Sequence, residues 1–447
     1  MSNMGQQYNW ADLSDDERRS VLQRPAVTAN AETVATVRQI LADVKKGGDE
    51  VLRQLTEKLD KVKLESLKVS VDEFAEARTE LEEPQIAALK TAIRNVTLYH
   101  EAQLSESTAV ETTPGVLCER ITRPVPAVGL YVPAGTAPLP STAIMLAVPS
   151  GIAGCPVRII CTPPRPDGKA DPAVLVAAEE CGIRDVFKLG GAQAVAAMAY
   201  GTETVPKVDK IFGPGNAWVT AAKTEVSSDP AGAALDMPAG PSEVLVIADA
   251  NADPRAVALD LLSQAEHGID SQVVLVTDST ELAKDADAEI ATALSTLSRR
   301  EIMLQSLEHS RVIITADISE AVTVSNYYAP EHLILQVDNA RGYLEQVINA
   351  GSIFLGPYTP ESVGDYCSGT NHVLPTYGYA RAYSGLSLVD FQKRISVQEL
   401  TAEGVRNLQP TVSTLARMEG LDAHARAVEV RVERLNETAN KLNKANG

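Results

Sequence analysis

The chain has 447 residues, more than one compact core of ordinary size usually contains, so two or more domains are expected. Hydrophobic residues make up 45% and charged residues 22%, near the averages for globular proteins, which excludes a disordered chain and a disulfide scaffold. The 59 acidic and 40 basic residues give a net charge of -19, which disfavours nucleic acid and acidic membrane surfaces as partners.

Cysteine usage and the polar N-terminus predict a cytoplasmic protein. The five cysteines are scattered and lack CxxC spacing, so neither a disulfide framework nor a thiolate zinc site is indicated. No apolar segment typical of a signal peptide occurs at the start of the chain. The longest apolar tract, residues 137–160, contains prolines and glycines that a membrane-spanning helix would rarely carry. We therefore expect this tract to belong to a core, and we expect no membrane partner.

Helical and alternating patterns follow one another along the chain. Residues 1 to about 105 show helical periodicity, clearest in 32–46 and 85–104, and no strand pattern. From Ala127 onwards, short β-branched runs alternate with alanine-rich helical stretches, which predicts a parallel sheet. A second alternating region begins at Glu243 and contains the strand candidates EVLVIAD, QVVLVTD, RVIIT, HLILQV and SIFLG. The C-terminal part returns to a helical pattern.

The predicted fold class is α/β, with two Rossmann-like domains, each built on a parallel sheet, and helical extensions at both termini. We assign a helical N-terminal arm (1–30), a discontinuous first α/β domain (31–130 and 244–385), a second α/β domain (131–243) and a helical C-terminal segment (386–447). No short-period repeat or low-complexity linker separates these parts.

One helix of the second alternating region carries a weak metal-binding pattern. Asp253-Pro254 is a helix-start signal and Gly268 a stop signal, so a helix is predicted from Pro254 to His267, between two strands. Gln264 and His267 lie three positions apart on one face, where an amide oxygen and an imidazole can meet one ion. Because glutamine is an unusual metal ligand, a structural role explains this pair alone more often than a metal does.

Two further segments place acidic and basic groups close together. Glu331 and His332 share a turn just before the strand HLILQV, which suits stepwise proton transfer, although a solvated turn with a capping glutamate explains the pair equally well. Residues 364–372 form a glycine-punctuated polar loop that contains Asp365 and His372. Loops of this kind often line a site, and Asp365 is a suitable ligand for a hard metal ion.

The C-terminal segment and the cofactor signals are less specific. Glu419 and His424 flank a Gly-Leu-Asp helix junction, where a surface helix could carry both without any function. Neither the dinucleotide fingerprint GxGxxG nor the P-loop pattern occurs. Residues 189–193 and 212–216 follow predicted strands and open helices, so each could accept a ligand phosphate or be a tight connection. These patterns alone leave NAD binding open.

Longer segments, in order and over nearly the whole chain from about residue 30, resemble the histidinol dehydrogenase family: GLYVPAGTAPLPST, GPGNAWV, DMPAGPSEVLVIAD, LLSQAEHG, YAPEHL, GDYCSGTNHVLPT and ARMEGLDAHARAV. Such motifs are far more specific than one short fingerprint. The resemblance implies a zinc-dependent oxidation of L-histidinol through L-histidinal to L-histidine, with two NAD consumed, in histidine biosynthesis. It also implies an intertwined homodimer in which the helical extensions mediate dimerisation.

The resemblance also implies roles for individual residues. The zinc ligands would be Gln264, His267, Asp365 and His424 of the partner subunit, all in the first α/β domain except the last. The substrate would contact those four residues together with Ser242, His332, His372 and Glu419. In the second α/β domain, NAD would lie along Tyr131, Gln193 and Asn216.

In the implied mechanism, His332 accepts the alcohol proton, and Glu331 activates a water that hydrates the aldehyde before the second hydride transfer. The zinc ion gathers the imidazole and amine of the substrate and orients its alcohol carbon towards the nicotinamide. No covalent cysteine is required, so we interpret Cys367 as a small packing residue.

Two other classes stay open on the residues alone. A zinc-dependent hydrolase would use the same metal and Glu331 without NAD, and a non-catalytic binding protein with two α/β lobes would leave the Glu331 and His332 pair unexplained. One feature is unusual for an open parallel sheet: Gln264 and His267 fall at a helix C-terminus, whereas ligands usually bind at the C-terminal ends of the strands.

Overall fold

The computed structural model of the chain describes residues 4–25, 31–104, 107–134, 137–238 and 240–445. The chain divides into two units, of which the first comprises Met1–Gln103 and Val125–Phe391 and the second comprises Leu104–Pro124 and Gln392–Gly447. Among the described residues, none of the helices is long and apolar enough to cross a membrane.

The elements are numbered in chain order. The strands are β1 (Gln6–Asn9), β2 (Thr108–Thr113), β3 (Val116–Pro124), β4 (Ala127–Tyr131), β5 (Val157–Thr162), β6 (Val186–Lys188), β7 (Lys210–Phe212), β8 (Ala234–Leu235), β9 (Glu243–Ala248), β10 (Gln272–Thr277), β11 (Arg311–Ile314), β12 (His332–Gln336), β13 (Ser352–Leu355) and β14 (Gln392–Leu400). The α-helices are α1 (Asp15–Val21), α2 (Ala31–Leu59), α3 (Val71–Glu80), α4 (Glu83–Glu101), α5 (Pro140–Ile152), α6 (Pro172–Glu180), α7 (Gly191–Tyr200), α8 (Ala217–Ser228), α9 (Pro254–Ala265), α10 (Thr280–Leu294), α11 (Arg300–Leu307), α12 (Ile318–Tyr328), α13 (Glu361–Tyr366), α14 (Ala402–Met418) and α15 (Asp422–Ala445).

A six-stranded parallel sheet in the first unit has the strand order β1-β11-β10-β9-β12-β13. Its central strands β9 and β10 are buried along their whole length, because near-continuous aliphatic runs suit strands that are covered on both faces. Val244 and Val246 pack into the core on one face of β9, and Leu245 and Ile247 into the core on the other. Helix α9 connects β9 to β10 and has Asp253 as its N-cap, as predicted.

A five-stranded parallel sheet in the same unit has the order β6-β5-β4-β7-β8. Helices α5, α6, α7 and α8 alternate with its strands in the sequence, which is the β/α alternation predicted from Ala127 onwards. The predicted α/β class with two parallel sheets is therefore confirmed.

Helices α2, α3 and α4 pack against the helices α5, α6, α7 and α8, which alternate with the strands of the five-stranded sheet. Val37 of α2 shares a core with Tyr131 at the end of β4, and Val96 of α4 shares a core with other residues of β4. The predicted grouping of residues 31–130 with residues 244–385 differs from this arrangement. Helical periodicity shows that a helix has an apolar face but does not show which sheet that face covers.

The N-terminal arm contains a strand as well as a helix. Strand β1 pairs in parallel with β11 and forms one edge of the six-stranded sheet. Helix α1 begins with a capping box between Ser14 and Glu17. The prediction of a purely helical arm missed β1, because its sequence, QQYN, is short, largely exposed and without apolar alternation.

The second unit combines an antiparallel sheet with the two C-terminal helices. Strands β2, β3 and β14 form a three-stranded sheet in the order β14-β3-β2. Helices α14 and α15 pack against each other. The segment predicted as helical, 386–447, thus also contains β14, whose side chains are mostly exposed and therefore give a weak strand pattern.

Candidate active site

The predicted catalytic pair lies at the N-terminal edge of the six-stranded sheet. His332 is the first residue of β12 and pairs with Val244 and Ser352, at the starts of β9 and β13. A helix that follows a parallel strand runs back towards the edge where that strand began, so the C-terminal end of α9 brings Gln264 and His267 to the same edge. Gln264 and His267 therefore lie at the N-terminal edge of the sheet, as their position at the end of a helix indicated, and not at the C-terminal edge where ligands usually bind.

The imidazole of His332 has a defined orientation. Its Nδ1 lies 3.2 Å from the backbone oxygen of Glu243, an acceptor, so Nδ1 carries a proton and donates it. Nε2 lies 3.6 Å from Asp365 Oδ1, which is longer than a hydrogen bond, and within the described residues it is buried without a hydrogen-bond partner. Burial opposes the charged ring, but the carboxylates of Glu361, Glu331 and Asp365 raise the pKa of His332 well above its usual value.

The Glu331 carboxylate is buried beside this ring. Its Oε2 accepts the backbone N–H of Glu243 at 2.9 Å and lies 3.7 Å from His332 Nδ1. Burial raises the pKa of Glu331 to about 8, although the charge of His332 works in the opposite direction. A carboxylate whose pKa lies near neutrality is suited to general-base catalysis.

A cluster of potential metal ligands lies next to the pair. His267, Glu361 and Asp365 each offer one potential ligand atom, and these three atoms lie within 4.8 Å of one another. Gln264 is fully buried, and when its amide nitrogen faces Glu361, this nitrogen donates to the two carboxylate oxygens at 2.6 and 3.3 Å. The amide oxygen of Gln264 then points away from the carboxylate.

The charges and the donor types of this cluster fit a divalent cation. Glu331 and Glu361 are buried, and Asp365 is half-buried, so three carboxylates share one poorly solvated site. Such an excess of negative charge is costly unless cations balance it. The imidazole nitrogen of His267 and the oxygens of Asp365 and Gln264 are donors that zinc accepts.

Asp365 and His372 are held by the segment that follows β13. Asp365 lies on the short helix α13 rather than in the predicted loop. Burial raises its pKa, but the neighbouring His332 outweighs this effect and holds the pKa of Asp365 at about 2. His372 donates from Nδ1 to the backbone oxygen of Asp365 at 2.8 Å, and its Nε2 lies 3.2 Å from Thr142 Oγ1 on α5. Burial lowers the pKa of His372.

The residues expected to contact NAD lie at the C-terminal edge of the five-stranded sheet. Tyr131 ends β4, and its hydroxyl accepts the N–H of Gly191, which adopts a positive φ at the start of α7. Gln193 is buried and donates to Asp60 Oδ2 at 3.2 Å. Asn216 caps α8 by accepting two backbone N–H groups. This edge is where ligands usually bind to open parallel sheets.

Comparison with known proteins identifies the family. The family model for histidinol dehydrogenase matches residues 22–432. The chain is 56% identical over 426 residues to the histidinol dehydrogenase of Vibrio cholerae, which covers 95% of this chain and 98% of that protein. It is 54% identical over 424 residues to the enzyme of Xanthomonas campestris, with coverage of 95% and 98%. This chain belongs to the histidinol dehydrogenase family.

A solved structure extends the agreement to the fold. The crystal structure of histidinol dehydrogenase from Elizabethkingia anophelis matches with a TM-score of 0.94 and 44% sequence identity, covering 98% of this chain and 99% of that one. The chain is thus an NAD-dependent histidinol dehydrogenase of histidine biosynthesis, in a family that uses Zn2+ and NAD. The function inferred from the resemblance is confirmed, and the hydrolase and the binding protein no longer stand as alternatives.

The other predicted residues of this histidinol dehydrogenase lie as follows. Ser242 immediately precedes β9 and is half-buried, so it belongs to the same edge of the six-stranded sheet as Glu331. Glu419 and His424 lie in the second unit, at the end of α14 and in the first turn of α15, and both are exposed there.

Sequence reasoning missed three residues that contact the site. Glu361 and Asp365 are four positions apart on α13, a spacing that would have linked them if this short helix had been predicted. Glu243 looked like the polar start of a strand, and Arg24 belongs to an arm with no motif. No local pattern announces either residue, because both act through contacts that are distant in the sequence.

Proposed function

We propose that this chain oxidises L-histidinol through L-histidinal to L-histidine with two molecules of NAD, at a single site on the N-terminal edge of the six-stranded sheet. The observation that carries the proposal is the position of Glu331 and His332 next to the donor cluster of His267, Glu361 and Asp365. This arrangement combines two side chains that can accept protons, Glu331 and His332, with a site for a cation.

Gln264, His267 and Asp365 would hold the zinc ion in each subunit, with His424 of the partner subunit as the fourth ligand. When bound, the metal supplies the positive charge that gathers the imidazole and amine of the substrate and directs its alcohol carbon towards the nicotinamide. Imidazole nitrogens and a carboxylate oxygen are usual ligands for zinc, and the amide oxygen of Gln264 would be the unusual member of the set.

His332 accepts the proton of the substrate hydroxyl. Its Nδ1–H is donated to the backbone oxygen of Glu243, so Nε2 is the nitrogen that exchanges a proton with the substrate. A bound cation would offset the carboxylates that raise the pKa of His332 and would leave Nε2 with a free lone pair. Because Nε2 is buried and has no other partner among the described residues, it is available for the substrate. Removal of this proton by His332 would allow the same carbon to give up a hydride to bound NAD, which yields the aldehyde.

Glu331 acts in the second oxidation. Its carboxylate would accept a proton from the water that adds to the aldehyde. The hydrate formed would then lose a hydroxyl proton together with a second hydride, which NAD would accept, to give the acid. Ser242, His372 and Glu419 contact the substrate, and Tyr131, Gln193 and Asn216 contact NAD. The contact of His372 with Thr142 supports this assignment, because it joins the catalytic edge to the domain of the cofactor residues.

A homodimer formed through the helical extensions completes each site. Leu415 and Met418 on α14 and Leu421 in the junction before α15 are 53%, 77% and 41% exposed, which supports an apolar interface at this part of the C-terminal unit. A monomeric form would lack one zinc ligand and is expected to be inactive.

The test measures metal content and NADH formation from L-histidinol with the purified protein, before chelation, after chelation and after zinc is returned. We expect activity to disappear with the metal and to return with it. Omission of histidinol, and omission of NAD, are the controls. A zinc-loaded dimer that forms no NADH from histidinol would overturn the proposal.

A further inference from the structure

We infer that Arg24, from the N-terminal arm, is a positioning residue for the catalytic pair and acts through the carboxylate of Glu243. The inference rests on the proposed function of Glu331 and His332. It assigns a catalytic contribution to a part of the chain that lies outside both alternating regions of the sequence.

Glu243 contacts the catalytic pair through its backbone as well as its side chain. Its backbone N–H donates to Glu331 Oε2 at 2.9 Å, and its backbone oxygen accepts from His332 Nδ1 at 3.2 Å. In return, the backbone N–H of Glu331 donates to Glu243 Oε1 at 3.2 Å. The position of Glu243 therefore determines the direction of both catalytic side chains.

The carboxylate of Glu243 is held mainly by Arg24. Nε and Nη2 of Arg24 donate to Oε2 and Oε1 of Glu243 at 2.5 and 2.7 Å, in a bidentate pair. The side chains are 10% and 2% exposed, so the two charges are largely removed from water. The Tyr328 hydroxyl donates to Gln272 Oε1 at 2.8 Å and also lies 3.3 Å from Glu243 Oε2. Without Arg24, Glu243 would be an uncompensated buried carboxylate next to a second one, Glu331.

Arg24 also fixes the turn that leads to the pair. Nη2 donates to the backbone oxygens of Tyr328 and Ala329 at 2.9 and 3.2 Å, and the guanidinium lies 3.8 Å from the centre of the Tyr328 ring. Ala329 ends α12 in a left-handed conformation, two residues before Glu331. A planar group with several fixed donors can hold the carboxylate, the two carbonyls and the ring together, whereas a lysine ammonium cannot.

The rest of the arm places Arg24 at this point. Strand β1 anchors the arm to β11, and α1 then leads to Arg24 a few residues later. The arm therefore does more than cover a sheet edge, because it places the Arg24 guanidinium against Glu243, the residue that contacts both Glu331 and His332.

The experiment compares Arg24→Met and Arg24→Lys with the wild-type dimer, and uses Arg18→Met as the matched control. Arg18 lies on the same arm, where it stacks on the Trp10 ring, donates to the Trp10 backbone oxygen and pairs with Asp15. We expect Arg24→Met to lower kcat per zinc-loaded subunit at least about tenfold, with the KM for NAD and the zinc content unchanged. The kcat of Arg24→Lys should lie between the values for wild type and Arg24→Met, and the kcat of Arg18→Met should equal that of wild type.

Chemical rescue separates positioning from general damage to the fold. Ethylguanidinium added to Arg24→Ala should restore part of kcat, whereas ethylammonium at the same concentration should not. A wild-type kcat in folded Arg24→Met, or an equal loss in Arg18→Met, would overturn the inference. If Arg24→Met does not fold, Arg24→Lys decides, because an unchanged kcat there also overturns it. Absence of NADH formation by the wild-type protein would instead refute the proposed function on which the inference rests.

Discussion

Replacing Lys223 by methionine should destabilise the five-stranded sheet domain and weaken NAD binding together. Lys223 Nζ pairs with Asp236 Oδ1 and donates to the backbone oxygen of Gly213 at 2.9 Å, while Asp236 Oδ2 accepts the Gly213 N–H at 2.8 Å. The pair thus binds both the backbone oxygen and the backbone N–H of Gly213, which begins the turn that leads to Asn216. Gly213 cannot be replaced easily, because a Cβ there would lie 2.2 Å from the backbone oxygen of Tyr131.

The expected size follows from the burial of the pair. The side chains of Lys223 and Asp236 are 6% and 1% exposed, so Lys223→Met leaves a buried carboxylate without its partner. Breaking such a pair typically lowers the free energy of unfolding by about 3–5 kcal/mol. The double variant Lys223→Met/Asp236→Asn removes both charges and should recover most of this loss, since neutral replacements of buried pairs are often tolerated.

Tryptophan fluorescence provides a local assay. The chain has two tryptophans, of which Trp218 lies on α8 and Trp10 in the core of the six-stranded sheet domain. In a Trp10→Phe background, guanidinium unfolding followed at Trp218 reports on the domain that contains the pair. The KM for NAD should rise while the KM for histidinol stays constant. A loss below about 1 kcal/mol, or a double variant no more stable than the single one, would refute the reasoning.

Three further predictions concern the site and its surroundings. Glu361→Leu should weaken zinc binding about 10- to 100-fold in chelator competition, because the amide of Gln264 loses its acceptor. Glu361→Gln keeps an acceptor and should retain most of the affinity. Equal zinc affinity in wild type and both variants would contradict this role of Glu361. Cys367→Ser should keep kcat within about twofold, since Cys367 packs against a core and no thiol chemistry is needed; loss of activity with zinc still bound would show otherwise. Burial lowers the pKa of His100, so its stabilising effect is complete above pH ~6.5, where the unfolded ring is also neutral, and declines as the pH falls below that value. His100→Gln should therefore reduce the loss of thermal stability between pH 7 and pH 5, and an unchanged pH dependence would contradict the effect.

The repeated patterns of the sequence predict most of the fold. Strands such as β9 and β10 are aliphatic runs with turn signals at both ends, and the helix between them has the cap that its Asp253 indicates. These features depend only on neighbours in the sequence. Elements without such local support were missed: β1 and β14 are largely exposed, and α13 is only six residues long.

The site was predictable only where one segment carries several of its groups. Glu331 and His332 are adjacent, and Asp365 and His372 share a short segment, so each set could be recognised as polar and close. Gln264 looked weak because the residue that orients it, Glu361, comes from another helix. Arg24 was invisible for the same reason, since its contact with Glu243 spans 219 positions. Hydrogen bonds across such distances follow from sheet order, which periodicity does not encode.

The position of the proposed metal site at the N-terminal edge of its sheet has a physical explanation in the second sheet. Tyr131 ends β4, and the chain then leads to α5, so Thr142 in the first turn of this helix lies near the C-terminal edge of the five-stranded sheet. His372 Nε2 contacts Thr142 Oγ1, and its Nδ1 donates to Asp365 next to the catalytic pair. The N-terminal edge of one sheet therefore faces the C-terminal edge of the other. Hydride transfer requires the donor carbon and the nicotinamide to be close together. If NAD binds at the C-terminal edge of the five-stranded sheet, where ligands usually bind, the substrate must be held at the N-terminal edge of the six-stranded sheet to reach the nicotinamide.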